Sequence, residues 1–326
     1  MMKVGVIGVG SMGQNHARIY SEIARLEGVY DLDQVQSKKV AARLRTKSFG
    51  SMKELLENVE AVSVCTITGT HLDVATDVIK AGRDLIVEKP FTGSSKSAKV
   101  LCKAAEKEGI VLGAGFVERH NPVVAVARDA LKAGRFGEPI SFASRRVSSF
   151  PARIRDVGVI MDLGIHDIDV LRHITADEAK SVFSLGGKFN NPSFEDHASI
   201  LVEMKSGLEA YLEVNWLTPM KVRKVSLTCS GGFVQLDYID QSLEFSSSVT
   251  KEFDQADAFR VPLEQDVRRI CVRKEEPLKK ELADFLDAAA SGGKPLADCN
   301  DAVADLEICE AALASLRDGS RVKVGR

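Results

Sequence analysis

Four side chains able to move protons or bind ions recur through one short stretch: Asp162, His166, Asp169 and His173. At 100° per residue they gather on one side of a helix, with Ile160, Leu163, Leu171 and Ile174 nearly opposite. Carboxylates and imidazoles so spaced fit a solvated face, a metal site, or a proton-transfer pair one helical turn apart. The four span about 16 Å of helix, too long for a single ion to use them all. Two of them could still hold a metal with help from elsewhere, such as His197. A neutral imidazole titrates in the range needed to accept a hydroxyl proton. Asp167 falls on the apolar face, where a carboxylate makes sense only if it meets an arginine.

Lys89 is a second candidate, within Glu88-Lys89-Pro90 directly after the apolar run "DLIV". Pro90 restricts Lys89 to an extended backbone. A lysine held at a strand end can polarise a substrate oxygen or take its proton, while an ordinary exposed loop lysine is the plain alternative. The third candidate is the GxGxxG turn Gly8-Val9-Gly10-Ser11-Met12-Gly13. Gly8 permits the tight turn, Gly10 lets backbone N–H groups approach a diphosphate, and Gly13 lets helix and sheet pack closely. The diphosphate then sits at the positive end of the helix, beside Ser11 and Met12. Asp31, 18 residues after Gly13, suits the ribose hydroxyls of NAD and repels the 2′-phosphate of NADP. Lys38 and Lys39 soften that preference, so NAD is expected over NADP.

The elements that must hold these groups change grammar along the chain. Through the first third, short β-branched runs ("KVGVIGVG", "EGVYDLD", "EAVSVCTIT", "RDLIVEKP", "IVLGAGFVE") alternate with segments of helical spacing. That order implies parallel strands joined by right-handed crossovers, a doubly wound α/β sheet. After about residue 122 come a helix, the strand "PISFASRRV" and the helix carrying Asp162. Extended segments separated by "NNP", "KSG" and "SGG" then run to about residue 247, with the turn chemistry of antiparallel neighbours. Two amphipathic helices and the strand "RVKV" close the chain. A sheet with helices on one face leaves the other bare, which suggests a homodimer or homotetramer formed through it.

The bulk numbers narrow the class. Of 326 residues, 44% are hydrophobic and 28% charged, with a formal charge of −2, the ordinary mixture of a globular enzyme or binding protein. Neither nucleic acid nor an anionic membrane is favoured as a partner by that charge. No apolar run approaches the ~18 residues of a membrane span. The start "MMKVGVIGVG" lacks the pattern of a signal peptide, so a cytoplasmic protein is expected. Six cysteines are scattered without a CxxC spacing and read as small buried hydrophobes rather than disulfides or a zinc site.

Taken together, "GVIGVGSMGQNHAR", "TGTHLDVATDVIKAGRDLIVEKP", "GFVERHNP" and "DLGIHDIDVL" resemble the glucose–fructose oxidoreductase / inositol dehydrogenase (Gfo/Idh/MocA) family. The resemblance covers nearly the whole chain. It implies a Rossmann domain over residues 1–120 and a C-terminal α+β domain over residues 121–326, with an open, mostly antiparallel sheet. It also implies NAD(P)-dependent oxidation or reduction of a sugar or cyclitol, with Lys89, Asp162 and His166 as the catalytic group and part of the substrate site. His166 is then the first choice for general base, Asp162 orients it or binds substrate, and Lys89 stabilises the alkoxide or shares the proton. Thr66, Thr68, His71 and Glu88 line the cofactor by the same resemblance, although His71 also suits a helix cap. Asn121 is placed at the domain junction, touching substrate or cofactor, or else only starting a helix ahead of Pro122.

Arg145, Arg146, Arg153 and Arg155 form a dense basic group next to the candidate catalytic helix. They fit an anionic substrate such as a sugar nucleotide diphosphate, or ordinary salt bridges. Trp216 reads as core within a strand. "GFVERHNPVV" and the segment from Asn215 to Gln241 resemble the members that act on UDP-N-acetylhexosamines at the C3 hydroxyl. The rivals are a dehydrogenase of a free cyclitol or aldose, and a non-catalytic dinucleotide-binding regulator on the same fold.

Overall fold

Short apolar runs at the start of the chain become strands buried on both faces, as a parallel sheet requires. In the computed structural model, which describes residues 1–151, 156–250 and 263–325, six strands form the first sheet. They are β1 (Lys3–Ile7), β2 (Arg25–Tyr30), β3 (Lys47–Ser48), β4 (Ala61–Val64), β5 (Asp84–Glu88) and β6 (Leu112–Gly115). The order is β3-β2-β1-β4-β5-β6, all parallel. The chain reverses its direction of progress between β1 and β4, and the crevice at that point is where open α/β sheets bind ligands. The crossovers are α1 (Ser11–Ile23), α2 (Gln34–Leu44), α3 (Met52–Asn58), α4 (His71–Lys80) and α5 (Ser95–Glu108). Most begin with a side-chain cap: Asp33, Ser51 and Ser94 each accept a backbone N–H. Helix α1 has no such cap.

After a 3-10 turn over Val117–His120, α6 (Pro122–Lys132) leads to the second sheet. Its strands are β7 (Pro139–Ser149), β8 (Ala179–Gly187), β9 (His197–Met204), β10 (Glu209–Asn215), β11 (Leu217–Cys229), β12 (Gly232–Asp237), β13 (Ser242–Thr250), β14 (Leu263–Ile270) and β15 (Val322–Lys323). Only β7 and β10 pair parallel within the order β14-β13-β12-β11-β7-β10-β9-β8-β15. Helix α7 (Ile165–Thr175) covers one face together with α9 (Cys299–Asp318). Helix α8 (Pro277–Ser291) returns to the first sheet, where Leu278, Leu282 and Phe285 join Val4, Val6 and Tyr20 in one core.

Three details depart from the sequence expectation. Helix α1 stops at Ile23, so Arg25 and Leu26 already belong to β2. Strand β14 lies beyond the expected end of the extended region. Trp216 is buried as expected, but at the bend between β10 and β11 rather than inside a strand.

Candidate active site

Lys89 is fixed from behind by its neighbours in the first sheet. The Lys89–Pro90 peptide is cis. His71, at the start of α4, lies 2.9 Å from the Pro90 carbonyl through Nδ1 and 3.0 Å from the Thr66 carbonyl through Nε2. It therefore ties the Lys89 loop to the end of β4. Glu88 is buried and accepts from the Lys89 N–H at 3.1 Å. Its other oxygen meets His16 Nε2 at 2.9 Å, and His16 Nδ1 meets the Ser63 hydroxyl at 2.9 Å. Burial opposes the Glu88 charge, but His16 and Lys89 hold its carboxyl below the usual range.

The second half of the site comes from the helical stretch over residues 159–175. Its first turn packs so closely on Glu195 that a Cβ at Gly158 would sit 2.0 Å from the carboxylate. Glu195 in turn accepts from the Ile160 N–H at 3.1 Å. Ile160–Gly164 form a π turn in which the Ile165 N–H reaches back to the Ile160 carbonyl. Asp162 sits in this wider turn. Lys89 Nζ donates to the Asp162 carboxylate at 2.7 Å and to its carbonyl at 2.9 Å. The two sheets thus meet at a half-buried lysine–carboxylate contact.

His166 is one turn further on, 8% exposed, with no partner for Nδ1. Burial, then the charges of Lys89, Arg146 and Arg223, push its pKa well below the ordinary value. A neutral imidazole beside a lysine is the form that can accept a proton. Asp162, expected to orient His166 or to bind substrate, accepts from Lys89.

The glycine turn lies across the same crevice. Gly8 has φ +86°, and a Cβ there would meet the Cys65 backbone at 2.8 Å. At Gly13 a Cβ would fall 1.8 Å from the Gly8 carbonyl. Gly10 is different: a Cβ would meet nothing of the protein within 4 Å. A glycine that the protein itself does not require, at an uncapped helix start, fits a diphosphate bound against Ser11 and Met12. Asp31 at the end of β2 accepts from the Val9 N–H at 2.6 Å and the Asp33 N–H at 2.9 Å, so it is locked beside the loop. Leu32 and Ile67, at the carboxyl ends of β2 and β4, are 87% and 66% exposed. Sequence reasoning passed over both, because only their position beside the crevice distinguishes them from core residues. These groups fit a dinucleotide.

Family comparison agrees with that geometry. Residues 2–116 match the model described as "Oxidoreductase family, NAD-binding Rossmann fold", and residues 124–235 match the Gfo/Idh/MocA C-terminal domain. UDP-N-acetylglucosamine 3-dehydrogenase of Acidithiobacillus ferrooxidans is 32% identical over 292 residues, 89% of each chain. The chain belongs to the Gfo/Idh/MocA oxidoreductase family. Another relative is scyllo-inositol 2-dehydrogenase (NAD(+)) of Bacillus subtilis, 27% identical over 99% of this chain and 96% of its own. Among solved structures, the Acidithiobacillus enzyme superposes with a TM-score of 0.88 at 28% identity, covering 97% of this chain and 98% of that one. GenD2 from gentamicin A biosynthesis, in complex with NAD, gives 0.84 at 25% identity over 100% and 97%. This Gfo/Idh/MocA protein is accordingly a sugar oxidoreductase with an NAD-binding Rossmann domain.

Several residues expected at the site of this oxidoreductase lie elsewhere. Arg145 projects from the open face of the second sheet, beside Glu213 at 3.1 Å, because adjacent strand residues point to opposite faces. Arg146 does point towards α7 but is fully buried, gripping Asp167 at 2.8 Å and Glu118 at 2.9 Å. This supplies the arginine that Asp167 needed. Arg153 and Arg155 lie outside the described residues. Asn121 is a buried helix cap: it accepts from the Val123 N–H and donates to Glu118 and the Tyr238 carbonyl. Glu88 and His71 likewise direct their polar atoms at the protein and act as positioning residues. Thr68 gives its N–H to Asp156 at 3.0 Å, and Thr66 accepts from Thr70, both on the crevice side of α4.

The four-residue face also dissolves. Helix α7 is buried nearly all round, and Asp169 is held by Arg119 at 2.6 Å. Arg223, on β11 opposite Arg146, was not singled out by sequence. It is 30% exposed, touches Glu118 at 3.4 Å, and feels the charge of Asp162. Among the described residues, His16, Glu88 and Glu281 are close enough to share an ion, behind Lys89 rather than in the crevice. No helix there is long and apolar enough to cross a membrane.

Proposed function

We propose that this protein is an NAD-dependent dehydrogenase acting on the C3 hydroxyl of a UDP-N-acetylhexosamine such as UDP-GlcNAc. The observation that carries this reading is the meeting of Lys89, Asp162 and His166 in a chain 32% identical to a UDP-N-acetylglucosamine 3-dehydrogenase. NAD, when bound, supplies the hydride acceptor. His166 takes the hydroxyl proton as a neutral imidazole, and the Lys89 ammonium stabilises the charge developing on oxygen. Asp162 holds that ammonium in place. Arg223 takes over the anion-binding role first assigned to Arg145, since it borders the crevice while Arg145 faces away. Asp31 favours NAD over NADP because a second phosphate would meet its carboxylate, and Leu32 and Ile67 flank the adenine.

The division of labour follows the two sheets, with residues 1–120 as cofactor unit and 121–326 as substrate unit. Leu185, Leu201, Tyr211, Phe233 and Val267 are exposed on the open sheet face, which supports a homodimer or homotetramer formed there. A second substrate reading, a free cyclitol, is favoured by the inositol dehydrogenases among the relatives and by the loss of Arg145 from the site. The deciding experiment follows formation of reduced nicotinamide with NAD or NADP and with UDP-GlcNAc, myo-inositol, scyllo-inositol or glucose. Turnover only with the UDP-sugar is the expected result; turnover only with the cyclitols overturns the nucleotide-sugar assignment.

A further inference from the structure

The six cysteines are far apart in sequence, yet the fold brings two of them together at the seam between the sheets. Helices α5 and α9 run antiparallel against each other. Ser95 donates to the Glu310 carboxylate through N–H and Oγ at 2.8 and 2.6 Å, and Lys99 meets Glu307 at 2.5 Å. Continuing along α5 as residue numbers fall along α9 brings Cys102 towards Cys299, the first residue of α9. The segment before Cys299 is pinned to β6, the strand that follows α5: the Ala114 N–H donates to Ala297 at 3.0 Å, and Gly113 bridges Asp298. The two thiols are close enough to perturb each other's titration, half-buried, and packed on the same core.

We propose that Cys102 and Cys299 are a reversible modification site, oxidised to a disulfide that staples α5 of the cofactor unit to α9 of the substrate unit. Cys299 is the attacking thiol. Its pKa is held below the ordinary value by its contact with Cys102, against the opposing effects of burial and of the Asp298 carboxylate that caps α9. With hydrogen peroxide as oxidant, the Cys299 thiolate takes one peroxide oxygen; the O–O bond breaks, and after protonation water leaves and a sulfenic acid remains. Cys102 sulfur then attacks Cys299 sulfur, the S–O bond breaks, and a second water carries off the hydroxyl with the Cys102 proton. Two thiols lose two electrons and two protons to one peroxide. The site uses none of Lys89, Asp162 and His166, so it stands whatever the substrate proves to be.

The test treats the full chain carrying Cys271→Ser with hydrogen peroxide, since exposed Cys271 would otherwise join two molecules. Free thiols are counted, and digests are mapped by mass spectrometry without reductant. The expected result is loss of two thiols, a Cys102–Cys299 peptide pair lighter by two hydrogen atoms, and full reversal by dithiothreitol. In Cys102→Ser the reaction should stop at a Cys299 sulfenic acid that dimedone traps, while Cys299→Ser should leave Cys102 unoxidised. Unchanged thiols at both positions, at peroxide levels that oxidise Cys271 in the unmodified chain, overturn the proposal. A bridge between any other pair overturns it equally.

Discussion

The two ends of the helix over residues 159–175 carry the same residue types and do opposite things. At the first end, Asp162 meets a lysine from another sheet, and His166 keeps a ring nitrogen without a partner. At the other, Asp167 and Asp169 are each gripped by a buried arginine, and Arg172 holds Asp305 at 2.8 Å. Residue type and spacing are therefore not what separates chemistry from architecture. The partner decides: a carboxylate gripped by a buried guanidinium makes a fixed strut, whereas Asp162 is met by a lysine that is itself partly exposed, where a substrate can reach it.

The contrast breaks most visibly at His166. Changing it to Ala should lower kcat about 10²- to 10⁴-fold while leaving NAD binding by calorimetry intact. A variant that turns over normally would remove His166 from the chemistry. The matching change at the far end is Arg146→Met, which strands two buried carboxylates and should cost about 3–5 kcal/mol in urea unfolding. If stability barely moved, the strut description would fail.

The two ends converge in their response to acid. Burial sets the folded pKa of His166 well below, and that of His173 at about 3, against about 6.5 in the unfolded chain. Below pH 6.5 the unfolded chain takes up protons that the folded one refuses, so stability is complete above that pH and drains as pH falls. Thermal midpoints measured from pH 7 to 5 should fall, and fall less in His173→Asn; equal slopes would contradict the burial of that ring. The smallest effect is expected at Arg145, the neighbour of Arg146 on the opposite sheet face. Arg145→Ala should change stability by no more than about 0.5 kcal/mol and leave KM unaltered, in contrast to Arg223→Ala, which should raise KM.

Much of this architecture is legible in the amino-acid sequence. The alternation of strand and helix, the glycine turn, Lys89 before its proline and the Asp162–His166 spacing all follow from local periodicity, and periodicity survives folding. What was not readable depends on pairing between distant segments. That Arg145 and Arg146 diverge is plain from strand alternation, but which face meets the helix is set by β-sheet packing on α6, α7 and α9. Asn121 looked equally suited to ligand and cap until Tyr238 came beside it. Cys102 and Cys299 are 197 positions apart and meet only because α9 returns to the first sheet.

The π turn at Ile160–Gly164 gives the site a dependence on chain length that composition alone does not reveal. A π turn is an α-helical turn with one residue too many. Removing a single residue there would let the helix relax to regular winding and swing Asp162 about 100° around the axis, away from Lys89, with every side chain of the catalytic group still present. In this fold an indel is as decisive as a substitution, and a relative lacking one residue in that turn would need a different partner for its lysine.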